Sequence, residues 1–138
     1  MRQVFAALGF ILLGLFPGAA LAQPCEAGKP EMVQAGLDYR DYAAKMQEIE
    51  VEAADAQAAL DALMHDVEET GGPEDWQARA DEWVRVLSIH SADWEVAYGM
   101  MLSAGDALKA AMAAHETACG ANAQTAGILQ SLGLTPTQ

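Results

Sequence analysis

The chain has 138 residues, 52% of them hydrophobic, with seven Lys and Arg against 20 Asp and Glu, a formal charge of −13. A charge of that sign repels phosphate at long range, so nucleic acid and anionic lipid are poor candidate partners. It favours basic proteins, cationic peptides or metal cations, with an attraction that fades as salt rises. The length suits one domain with a real core, and two cysteines allow one intramolecular disulfide.

Met1-Arg2 places one positive charge before an apolar run from Val4 to Phe16, which Pro17 and Gly18 interrupt. Ala20-Leu21-Ala22 then supplies the small-x-small pattern cut by a signal peptidase. Residues 1–22 therefore read as a cleaved signal peptide, and 23–138 as a single α-helical domain that is periplasmic or secreted. The apolar run falls short of the ~18 residues that a spanning helix needs, and no second run follows. Pro24 before Cys25 does not suit a lipoprotein signal, so no membrane insertion is expected after cleavage. Without Arg2, six Lys and Arg remain against 20 acids, a charge of −14.

From Pro30 to Glu69 there is no proline and one glycine, Gly36, among Ala, Leu, Met, Gln and Glu, which predicts helix. Ala35, Tyr39, Tyr42, Met46, Ile49, Ala53, Ala56, Leu60, Leu63 and Val67 recur in alternating steps of four and three, the spacing of a heptad seam. Acids fill the positions between. Gly71-Gly72 then ends this helix, and Pro73-Glu74-Asp75 suits the first turn of the next.

The second helix is predicted from about Pro73 to Ala118, with a seam of Trp76, Ala80, Trp83, Leu87, His90, Trp94, Ala97, Met101, Ala104, Leu108, Ala111, His115 and Ala118. A neighbouring row through Val84, Ser91, Tyr98, Gly105 and Met112 widens its apolar face, so that it can touch more than one partner helix. Gly99 and Gly105 mark places where it could kink or fold back. Beyond Gly120, residues 121–132 suit a short third helix with Ala126, Leu129 and Leu132 turned inward.

If the chain reverses between Gly71 and Gly72, residue i lies opposite a residue near 143 − i, and Cys25 falls beside position 118. The second cysteine is at 119, which supports both the hairpin and a Cys25–Cys119 disulfide at its open end. The same rule sets Trp94 near Ile49, Met101 near Tyr42 and Trp83 near Leu60. The expected fold is all-α: a long antiparallel, coiled-coil-like helical hairpin with a short C-terminal helix. It is completed either as a three- to four-helix bundle by a fold-back at Gly99 or Gly105, or as a dimeric bundle.

Chemistry-bearing residues are sparse. His65 has Glu68 and Glu69 at i+3 and i+4, a face fit for a weak divalent-cation site, although a solvated helix end is the simpler reading. His90 lies on the seam as a core-edge imidazole. Met112, His115 and Cys119 share one face, which a soft metal would favour if Cys119 were not in a disulfide. No Glu-x-x-His pair, His-Glu-x-x-His, Gly-x-Ser-x-Gly or phosphate-binding glycine loop occurs, so no catalytic residue, no enzyme activity and no cofactor are expected. Trp76, Trp83 and Trp94 lie near one side of the second helix, as core or as a face that docks a protein. The sequence thus points to an exported module that binds another envelope protein as an adaptor, inhibitor or chaperone-like partner, or that pairs with itself. The rival reading is a small metal- or haem-binding bundle.

Overall fold

The computed structural model describes residues 24–134, so the signal-peptide reading of 1–22 and the tail from 135 lie outside the described residues. Gly28 adopts a left-handed backbone (φ 71°) and Pro30 occupies the first helical turn, where its missing N–H leaves no bond unmade. Helix α1 then runs Lys29–Thr70, 42 residues, about 63 Å. Gly71 ends it at φ 86°, its N–H donating to the Val67 carbonyl at 3.0 Å.

Helix α2 spans Trp76–Cys119. Pro73, Glu74 and Asp75, expected in its first turn, instead form the lead-in, with the Trp76 N–H donating to the Pro73 carbonyl at 3.0 Å. The helix continues without a break through Gly99 and Gly105, so the fold-back does not occur. Each glycine costs about 1 kcal/mol of helix propensity, which packing along a long seam outweighs. Gly105 is also where α1 comes close, since a Cβ there would stand 3.4 Å from the Tyr39 ring.

The chain then makes one 3-10 turn, Gly120–Asn122, and a short helix α3, Thr125–Ser131. The third helix is therefore shorter than the sequence implied. Leu129 and Leu132 turn inward as expected, but Ala126 is exposed and Ile128 takes the buried place. A helix of two turns has no stability of its own, so the core decides its rotation. That core is Met32, Ile128 and Leu132, ringed by Val33, Leu37, Leu108, Met112 and Leu134. Gly36 lets α3 lie close: a Cβ there would come within 2.6 Å of the Leu132 Cδ1.

All ten predicted seam residues of α1 are buried or half-buried, and so are all those of α2 except Ala118, whose place is taken by Cys119. The register agrees. Trp94 Nε1 donates to Glu50 Oε1 at 3.1 Å, His90 Nδ1 lies 3.6 Å from Glu52, and Tyr39 meets Gly105. Each pair sums to within one residue of 143. The result is an all-α hairpin fastened by its turn at one end and by α3 and the cysteines at the other. Among the described residues, no helix is long and apolar enough to cross a membrane.

Candidate functional site

The open end is the most tightly specified part of the molecule. Cys25 and Cys119 form a disulfide with Cα atoms 5.7 Å apart, joining the lead-in to the last residue of α2. One turn earlier on α2, His115 is fully buried. Its Nδ1 is 2.7 Å from the Ala27 carbonyl, and its Nε2 lies 3.2 Å from the Gln124 backbone nitrogen. A carbonyl only accepts and an amide N–H only donates, so the ring is the neutral tautomer with its proton on Nδ1. His115 thereby ties three segments together: the lead-in, α2 and the approach to α3. The Cys119 sulfur packs 3.4 Å from the same nitrogen.

This arrangement bears on the residues considered as metal ligands. Both ring nitrogens of His115 are engaged with backbone, Cys119 is in the disulfide, and Met112 packs against the Met32 core. His65 is exposed, with Nε2 4.0 Å from Glu69 Oε1, and Glu68 beside it is exposed as well. His90 is half-buried against Glu52. Among the described residues, no three His, Cys, Asp or Glu side chains gather in a way that could hold a metal ion.

Trp76, Trp83 and Trp94 are half-buried along the α1–α2 seam. Trp94 reaches the seam's edge, where it stacks on Tyr98 with ring centroids 5.2 Å apart and its N–H bonds to Glu50. Besides Val51 and Met64 on α1, the exposed large apolar side chains lie on the two flanks of α2. One flank carries Val84, Tyr98 and Leu102, on the side of Trp94 and Met101; the other carries Ile89, Val96 and Met100.

The second flank forms a site that sequence reasoning missed. Tyr42 and Ile49 of α1 and Val96, Ala97 and Met100 of α2 line an open groove of about 380 Å³, with Glu52, His90 and Asp93 at its edge. Val96 is 68% exposed, and with Met100 at 46% it gives the groove an exposed apolar rim. Lys45, also at the edge, hydrogen-bonds Glu48 at 2.7 Å, and that bond and the carboxylate's charge raise the ammonium above its ordinary pKa. With Lys45 so compensated, Glu52 and Asp93 leave the edge negative. The sequence signal was the pair Ile89 and Val96, seven residues apart and off the predicted seam.

No protein-family model, no curated protein and no solved structure matches this chain.

Proposed function

We propose that this chain is an exported, non-catalytic binding module that seats a segment of another envelope protein in the groove between Tyr42, Ile49, Val96 and Met100. The observation that carries the reading is the coincidence of exposed apolar side chains with an acidic edge. Such a surface suits an amphipathic segment whose apolar side chains fill the groove while Lys or Arg faces Glu52 and Asp93. The overall excess of acids steers such a partner toward the molecule. Export rests on the pattern of residues 1–22 and is supported by a cysteine pair at disulfide distance, which an oxidising compartment maintains.

The test uses protein recovered from the periplasm, whose measured mass should begin at Gln23; a mass beginning at Met1 would overturn the export part. Calorimetric titration is made with a synthetic amphipathic helix of Leu and Lys and with its Leu and Glu counterpart. The first should bind, about tenfold more weakly at high salt than at low, and the second should not. Val96→Glu separates the groove from general charge attraction. It adds a negative charge, so non-specific attraction would strengthen, whereas the groove reading predicts a loss of about tenfold or more, since burying an unpaired carboxylate is costly. Equal or tighter binding by Val96→Glu would contradict the proposal.

A further inference from the structure

We infer that His90 makes the affinity of the Val96 groove depend on pH: beside a neutral imidazole the acidic edge receives a cationic segment, and a proton on that ring weakens the hold. This regulation presupposes the groove as the partner's seat. The ring stands where it can act on both. His90 lines the groove together with Glu52 and Asp93, and its Nδ1 lies 3.6 Å from Glu52 Oε2 across the α1–α2 seam. Its side chain is 18% exposed, so solvent screens a charge there less than at the open surface, while the Glu52 side chain at 52% remains within a partner's reach.

The charged groups around the ring come from the two helices packed at this place. From α1 they are Lys45, Glu48, Glu50 and Glu52, and from α2 Asp93 and Glu95. Glu50 and Glu95 lie along the neighbouring cleft, on the side of Trp94, whose N–H donates to Glu50. Helix α3 packs at the other end of the hairpin and carries no charged residue. On the groove side Lys45 is compensated by Glu48 at 2.7 Å, which leaves Glu52 and Asp93 to meet the partner's Lys or Arg. Those two carboxylates sum to −2 beside a neutral imidazole and to −1 beside an imidazolium. One proton therefore halves the charge that recognises the partner.

Imidazole is the side chain that ordinarily changes charge between about pH 5 and 8, where carboxylates and ammonium groups largely keep theirs. Once protonated, the ring forms an ion pair with Glu52 inside the molecule and repels the partner's cation, and both effects act in the same direction. By reciprocity, a bound cationic segment lowers the proton affinity of His90 by the same factor by which the proton weakens the segment. For one partly screened charge that factor is about fivefold. The other two histidines do not reach the groove. His65 is exposed near the turn end of α1, and His115 is buried with both ring nitrogens on backbone atoms.

The experiment is calorimetric titration of the periplasmic protein with the amphipathic helix of Leu and Lys at about pH 7.5 and about pH 5.5, at one ionic strength, with circular dichroism as the folding control. Lysine keeps its charge at both, so the change resides on the protein. The native protein should bind about fivefold more weakly in acid. In His90→Gln the ratio between the two conditions should fall below about twofold, whatever its affinity at neutral pH, whereas His65→Gln should keep the native ratio. Nuclear magnetic resonance on the native protein gives the reciprocal measure: the midpoint of the His90 ring signal, identified by its absence from His90→Gln, should move to lower pH when the peptide is bound. Equal binding at both pH values, a native ratio persisting in His90→Gln, or a midpoint unmoved or raised by the peptide would overturn the inference and leave the groove itself standing. No binding at either pH would overturn the groove as a partner site, and its regulation with it.

Discussion

Replacing Cys25 and Cys119 together by serine should lower the unfolding free energy by about 4 to 5 kcal/mol, the largest single loss expected in this molecule. The bridge spans 94 residues, nearly the whole described chain, so the unfolded state that it constrains is almost the entire chain. Chain-entropy arguments give long loops the larger effect, and the two helices have no other covalent tie at this end. For a domain of this size the loss corresponds to a fall in Tm of roughly 15 to 30 °C. Thermal unfolding followed by circular dichroism checks it. A fall of only a few degrees would show that α3 and the seam hold the open end without the bridge.

The second large effect is expected at His115. His115→Ala removes a fully buried ring and leaves the Ala27 carbonyl and the Gln124 N–H without their partners. Ala27 and Gln124 are themselves exposed, so water takes over part of the lost bonding; the cavity and the net loss of two hydrogen bonds together are expected to cost about 2 to 4 kcal/mol. His115→Phe retains most of the volume and none of the bonds. It should recover only the cavity part, and near-native stability in that variant would show that the bonds contribute little. Ala27 lies two residues from Cys25, and His115 packs against the Cys119 sulfur. The two losses should therefore be non-additive, the combined variant losing less than their sum, as groups in one network do.

How far the sequence foretold this structure depends on whether the determining contact was periodic. The α1 seam from Ala35 to Val67 was legible residue by residue, because a four-three spacing has only one way to turn its apolar line inward. The same holds for Trp76 to His115 in α2. At its end the seam ends on Cys119 in place of Ala118, one residue further, because the helical period exceeds 3.5 and the line drifts. The hairpin register and the cysteine pairing followed from the Gly71-Gly72 turn alone.

What the sequence concealed was decided by tertiary contact. Ile128 and Ala126 are both plausible inward residues of a short helix, and only the position of Met32 distinguishes them. His115 suggested metal chemistry because its side chain is recognisable, while its true partners, a carbonyl and an amide N–H, are backbone atoms that carry no residue signature. The groove at Val96 and Met100 was hidden for another reason. It depends on which side of α2 the first helix leaves open, and neither helix alone contains that fact.

The flanks of α2 stay free only because the helix runs unbroken past Gly99 and Gly105 in an extended hairpin. Small-angle X-ray scattering on the purified protein measures this directly. An extended hairpin about 65 Å long has a radius of gyration near 20 Å. A chain folded back at either glycine would approach the ~13 Å of a compact domain of this size. A value near 20 Å or above, with a maximum dimension of at least ~65 Å, is the result predicted here; a value near 13 Å would contradict it and close both flanks at once.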